Sequence, residues 1–237
     1  MTEKSSLLPH PSTLLDARRL ELIKGYRVHE MRTPARPVKV VTPSQTIGPF
    51  FSPQIIRPGD DDLACLEPGA ARAQGTPIVM TGRVMDEDGR PVRKALIEVW
   101  QANKWGRYEH PDDITDAPLD PNFKGWGRML TGTDGRYRFR SIKPGPYPNP
   151  GYDNWMRPPH IHYSIFAAGL MQRLITQVYF PGEPLNDIDP ILNGIEDLDA
   201  RASLIAVPRP SEPDGSLAFE FDIVLRGKAE TPFFVDA

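Results

Sequence analysis

The chain has one cysteine, Cys65, among 237 residues. An internal disulfide is therefore excluded, and nothing beside Cys65 in LACLEP suggests an activated thiol. An excess of either charge is missing as well: 28 Lys and Arg stand against 31 Asp and Glu, a formal net charge of −3. That balance lacks the basic footprint of a nucleic-acid partner or an anionic membrane surface. No apolar run approaches the roughly 18 residues needed to cross a bilayer. The opening MTEKSSLLPHPSTLL carries early charges and only two-residue apolar pieces, a poor match to a signal peptide, so the cytoplasm is the expected location. No internal repeat or low-complexity tract is visible, and helical periodicity is scarce. Its clearest instance in the N-terminal third is 13–25, where Leu14, Leu15, Leu22 and Ile23 recur before Gly25.

What the chain has instead is proline, 27 residues, or about twice the usual share. With 19 glycines this points to turns and irregular loops rather than long helices. Between the prolines lie β-branched and aromatic runs: PIVMTGRV, ALIEVWQ, GRYRFRSI, HIHYSIF, LITQVYF and LAFEFDIVLR. In the last, Leu217, Phe219, Phe221 and Ile223 alternate with smaller or polar residues. Asp88-Gly89 and Asp134-Gly135 are hairpin signals. A short helix is expected within 195–206, and the run Asp60-Asp61-Asp62 reads as a solvated turn. The fold class is mostly β, an antiparallel β-sandwich with long proline-rich loops and one or two short helices. Residues 1–75 form an N-terminal arm, packing on the core or on a partner subunit, and residues 76–237 the sandwich domain.

Five histidines are present, and two of them, His160 and His162, bracket Ile161 in a strand-like run. Residues two apart in a strand share a face at roughly 6.5–7 Å, so both imidazoles can converge on one ion. Equally, they can be two polar residues on a wet face. Pro158 and Pro159 stiffen the approach to the pair. A His₂–carboxylate zinc site or a facial-triad ferrous site would bring a neighbouring Asp or Glu, yet no H-x-D/E or HExxH pattern occurs. Tyrosines stand in the loops instead, Tyr108 in NKWGRYEHP and Tyr147 in KPGPYPNP. A phenolate is a hard donor suited to Fe(III), and a trivalent ion helps to deprotonate a phenol. Tyrosine is more often a core or interface residue, and spacing alone does not choose between the two. His110, followed by a proline, reads as an exposed or supporting residue.

EVWQANKWGRYEH (98–110), APLDPNF (117–123), IKPGPYP (142–148), RPPHIH (157–162), LITQVYF (174–180) and FDIVLRG (221–227) together resemble the intradiol ring-cleavage dioxygenases. Within that family the likeness is to the β chains of the protocatechuate type, and it runs from about Tyr26 to the C-terminus. The resemblance implies one Fe(III) held by Tyr108, Tyr147, His160 and His162, with a small aromatic diol and O₂ as substrates. It implies Tyr108 as the phenolate that stays bound, and Tyr147 as the one that leaves and takes up a substrate proton. Arg157 corresponds to an arginine that stabilises the electron-rich catecholate, and Gln177 to a glutamine near it. Trp100 and Arg107 fall in the motif around the first tyrosine, with Trp100 at the substrate, and Tyr26 corresponds to a residue reaching the ring substituent. Two positions depart from the pattern: Asn149 stands at the substrate border where tryptophan is frequent, and Met156 where an aromatic is frequent.

The implied reaction is intradiol cleavage of protocatechuate to 3-carboxy-cis,cis-muconate, with an α chain as partner in a hetero-oligomer. The same chemistry on catechol, hydroxyquinol or another substituted catechol is the near alternative. A non-catalytic β-sandwich interaction module is the alternative of another class. Relatives acting on catechol usually carry a longer helical N-terminal region than residues 1–75 provide, which favours the protocatechuate type.

Overall fold

A computed structural model describes residues 56–149 and 155–234. The helix expected over 13–25 and the substrate contact expected of Tyr26 lie outside them. Eleven strands are ordered along the described chain: β1 (Pro77–Met85), β2 (Leu96–Trp100), β3 (Trp126–Leu130), β4 (Arg136–Ile142), β5 (Tyr147–Pro148), β6 (Met156–Arg157), β7 (His160–Phe166), β8 (Leu174–Tyr179), β9 (Val207–Arg209), β10 (Leu217–Glu220) and β11 (Ile223–Val224). Two short helices, α1 (Pro190–Asn193) and α2 (Leu198–Ser203), follow a 3₁₀ turn at Pro184–Asp187. Among the described residues no helix is long and apolar enough to cross a membrane.

β5 pairs with β6 in a separate short ladder, and the nine other strands form two facing sheets. One runs β3-β2-β7-β8, wholly antiparallel. In the other, β1 is central, with β4 antiparallel on one side and β10 and β11 on the other, and β9 beyond β10. Period-two burial places Ile97, Val99, Ile161, Tyr163 and Ile165 of the first sheet in the core with Ile78, Met80, Phe139, Phe219 and Phe221 of the second. Tyr163 joins the layers, its ring 6.0 Å from those of Tyr137 and Phe139 and 5.3 Å from that of Phe221.

The sandwich is as expected, but not every pairing is antiparallel: β1 runs parallel to both β10 and β11. Both Asp-Gly turns form, each with its glycine at positive φ, yet neither joins partners of one sheet. After Asp88-Gly89 a single bridge, Met85 to Pro91, is made before the chain crosses to the opposite layer. The physical reason is that β1 already has both edges occupied by distant strands, so β2 pairs with β3 and β7 instead. The helix expected within 195–206 is α2, capped by the Asp197 side chain on Asp199 N and Ala200 N. Of the alternating residues, Phe219, Phe221 and Ile223 are buried, whereas Leu217 is exposed at the start of β10.

The acidic run forms a turn with Asp61 exposed, but it is not solvated throughout. Asp60 is buried, its carboxylate against Lys124 Nζ (3.2 Å) and Arg128 Nε (3.4 Å). Backbone bonds from Arg128 N to Asp60 O (2.9 Å) and from Arg140 N to Asp61 O (2.8 Å) stitch this segment between the edges of β3 and β4. Leu63 and Ala64 then enter the core, and Cys65 is buried beside them with its thiol on the Glu67 carbonyl at 2.6 Å.

Gly82 marks the break between β10 and β11. There the Phe221 carbonyl turns over β1 and accepts the Tyr137 hydroxyl at 2.5 Å, while Asp222 Oδ1 accepts from Arg83 N at 2.8 Å. A Cβ on Gly82 would sit 1.9 Å from the Phe221 oxygen. Gly82→Ala is expected to destabilise the fold by about 1–3 kcal/mol, lowering the thermal midpoint by several degrees. An unchanged midpoint in thermal unfolding would show that the β10–β11 break can move away.

Candidate metal centre

The outer face of the β3-β2-β7-β8 sheet carries the site. In β7, His160 and His162 stand opposite to the core-facing Ile161 and Tyr163, and the register sets His162 between Trp100 of β2 and Gln177 of β8. The Trp100 indole stacks on the His162 ring at 4.9 Å and 3°. His160 Nδ1 lies 2.7 Å from the Pro158 carbonyl, which can only accept, so Nδ1 carries the proton and Nε2 keeps a lone pair. The stiff RPP lead-in therefore also fixes a tautomer.

Two loops deliver the tyrosines. Asn103 Oδ1 accepts from Trp105 N (2.9 Å) and Arg107 N (3.1 Å), and the Arg107 guanidinium donates to the carbonyls of Thr115 and Ala117. Asp113 accepts from Tyr108 N at 2.8 Å and from the Thr115 amide and hydroxyl, which fixes the backbone at Tyr108. Gly106, at φ 79°, lets this loop close on the next: a Cβ there would meet the Pro146 oxygen at 2.1 Å. Tyr147 is set by the two-residue ladder of β5 and β6, in which it pairs directly with Arg157.

Four donor atoms converge. Tyr108 Oη lies 3.5 Å from Tyr147 Oη, Tyr147 Oη 3.0 Å from His160 Nε2, and His160 Nε2 3.2 Å from His162 Nε2. Donors each about 2 Å from one ion show separations of this order. Among the described residues no three His, Cys, Asp or Glu side chains form a metal-binding group, so the mixed phenol–imidazole set is the candidate. Burial keeps both imidazoles neutral, His162 falling to about 3 and His160 well below the usual range, aided by the neighbouring ring and by the positive charge of Arg157. Burial pushes both phenols up, Tyr108 well above the ordinary value, while Arg157 partly offsets the rise at Tyr147. Neutral imidazoles and phenols that resist ionisation fit a cation of high charge, which supplies the field that solvent does not.

A cleft of about 440 Å³ opens in front of these donors, lined by Trp100, Tyr108, Ile114, Tyr147, Asn149 and Arg157 among others. His110 lies at its rim, largely exposed, and makes no contact with the donor atoms. Arg157 is 3% exposed, and Gln177 Oε1 accepts from its Nη2 at 2.7 Å. Two partners of Arg157 escaped the sequence reading. Tyr179 Oη accepts from Nη2 at 3.0 Å, and Asp189 Oδ2 lies 3.2 Å from Nη2 and 3.3 Å from Nε. Strand alternation from Gln177 would have found Tyr179, and Asp189-Pro190 is a helix-start signal that would have placed the carboxylate.

Comparison with known proteins accords with this arrangement. A family model described as "Dioxygenase" matches residues 46–227. The protocatechuate 3,4-dioxygenase β chain of Burkholderia cepacia is 46% identical over 211 residues, covering 87% of this chain and 89% of that one. The α chain from the same organism is 34% identical over 203 residues, covering 81% and 96%. Among solved structures, the dioxygenase domain of a dioxygenase–carbohydrate-binding fusion from Streptomyces sp. SirexAA-E is similar at a TM-score of 0.51. It has 31% identity and covers 78% of this chain and 97% of that one.

His160, buried, and His162, half-buried, give the metal-free protein a pH dependence. Their folded pKa values lie below the unfolded value of about 6.5, so on acidification the unfolded chain binds protons that the folded one does not. Stability is then greatest above pH 6.5 and falls as pH drops towards 3, by up to about 1.4 kcal/mol per pH unit for each imidazole. Urea unfolding of metal-free protein at pH 7.5, 6 and 5 is expected to show the decline, and a His160→Gln/His162→Gln protein to lose it. A flat profile in the parent would mean that the imidazoles are charged in the folded state.

Proposed function

The chain belongs to the intradiol ring-cleavage dioxygenases, and from that premise we propose that it is the β-type chain of an enzyme opening protocatechuate with O₂. Ring opening between the two hydroxyl-bearing carbons gives 3-carboxy-cis,cis-muconate, both oxygen atoms entering the product. The substrate comes from the B. cepacia relatives, whose α and β chains are named for protocatechuate. The observation that carries the reading is the convergence of two phenol oxygens and two imidazole nitrogens beside a cleft walled by a buried arginine.

In this reading Tyr108, Tyr147, His160 and His162 hold Fe(III). When bound, the ferric ion supplies the Lewis-acid and one-electron chemistry that makes a chelated catecholate reactive towards O₂. The protein contributes positions and protons. The Nδ1–H bond of His160 to Pro158 keeps Nε2 turned to the ion, and Trp100 holds the plane of His162. Tyr108 would be the ligand that stays, as the family likeness implies, and Asp113 fixes the backbone of its loop. Tyr147 sits on a two-residue ladder beside the cleft, a placement that would let its Oη take up a substrate proton. Arg157, across that ladder, stabilises negative charge gathering on the ring, and a guanidinium keeps its charge at any working pH. Gln177 holds the guanidinium, while Trp100 and Asn149 border the ring.

A partner α chain fits the rim of the cleft. Ile114, on the cleft lining, is 83% exposed. Such an apolar side chain, left open to water beside the cleft, is suited to burial by a second chain.

The purified protein is expected to be reddish from phenolate-to-ferric charge transfer. Oxygen-electrode assays on a panel of catechols, with and without an α chain, test substrate and partner together; a colourless, iron-replete protein would refute the assignment. Tyr108→Phe should shift or abolish the visible band and lower turnover by about 10–100-fold or more, whereas an unchanged spectrum removes Tyr108 from the ligand set. Arg157→Ser should keep iron and colour while kcat falls by roughly 10²–10³. Loss of iron in that variant would make Arg157 a structural residue.

A further inference from the structure

Asp189 is 0% exposed, and a carboxylate so placed is costly unless both oxygens are engaged. They are. Oδ1 accepts from Ile191 N at 2.8 Å, closing the first turn of α1, and Oδ2 faces Nε and Nη2 of Arg157 at 3.3 and 3.2 Å. The Asp189 backbone is fixed too, its N–H on Leu185 O (3.0 Å) and its carbonyl accepting from Asn193 N and Nδ2, both at 2.9 Å. The carboxylate therefore cannot drift with a flexible stem.

We infer that Asp189 is a positioning residue for Arg157, holding the guanidinium so that its free edge faces the cleft. This rests on the reading above, in which that edge meets the ring being opened. The argument is one of rigid geometry. A guanidinium is planar, so engaging Nε and Nη2 on fixed acceptors also fixes the direction of Nη1. Asp189 takes the Nε–Nη2 edge, and Gln177 and Tyr179 take further contacts to Nη2. None of these bonds uses Nη1, and Arg157 lines the cleft. Gln177 and Tyr179 meet only one terminal nitrogen, about which the plane can still swing. Asp189 is the partner that removes this rotation.

Asp189→Asn and Asp189→Ser both keep an oxygen able to cap α1 and remove the charge that grips Nε. In the metal-free protein, hydrogen exchange at Arg157 Nε–H, followed by ¹⁵N NMR, is expected to be slow in the parent and roughly 10-fold or more faster in both variants. In the iron-loaded protein, kcat should fall roughly 10–100-fold with KM changed far less, and iron content and visible band retained. Asp189→Glu, which keeps the charge, should recover part of kcat. Variants that keep parental kcat and exchange would reduce Asp189 to a helix cap and overturn the inference. If neither variant folds, the parent alone decides: Arg157 Nε–H exchanging as fast as an exposed arginine overturns it. A parent with slow exchange but no activity on any catechol would leave the Asp189 contact standing and sink the functional reading instead.

Discussion

In β7, Ile161, Tyr163 and Ile165 are wholly buried against the opposing sheet, and the two-residue period of a strand then turns His160 and His162 to the other face. A slip of one residue against β2 or β8 would bring imidazoles into the core and aromatic bulk out of it. Core packing thus enforces the register that holds the candidate ligands. The same register sets Trp100 against His162 and Gln177 beside it, so the support around the candidate metal centre is fixed by the interaction that stabilises the sandwich.

Around that fixed pair, the loops are held by polar groups rather than by apolar bulk. Asn103, Arg107 and Asp113 satisfy the backbone of the loop that bears Tyr108, and the Arg157–Asp189 pair ties the β6 ladder to α1. Such bonds have direction, which apolar contacts lack, and direction is what converging donor atoms need. The arrangement also explains why buried charge is tolerated here. Arg157 meets Gln177, Tyr179 and Asp189 at once, so the cost of its desolvation is offset by several partners.

Much of this was legible in the sequence for identifiable reasons. The β-branched runs announced the strands, and H-x-H inside one of them announced a shared face. Tyr108 and Tyr147 were not accessible by periodicity, because their approach depends on loop contacts such as Gly106 against Pro146; the family likeness supplied them. Asp60 was misread because a charge run in isolation looks solvated, and its cationic partners, Lys124 and Arg128, stand far along the chain. The Asp-Gly turns were read correctly as turns and wrongly as hairpins. A turn fixes local direction only, while β1 pairs with β4 on one edge and, on the other, with β10 and β11 from much later in the chain.

That distant pairing bears on how the protein is made. The sheet carrying the candidate ligands has all its strands once Tyr179 has been synthesised, whereas the opposing sheet waits for β10 and β11, ending at Val224. Until then Ile161, Tyr163 and Ile165 have only part of the surface they are to pack against. On the ribosome, the half-built sandwich presents an aromatic face that β1 and β4 cover only in part, and its closure waits until Val224 has been made.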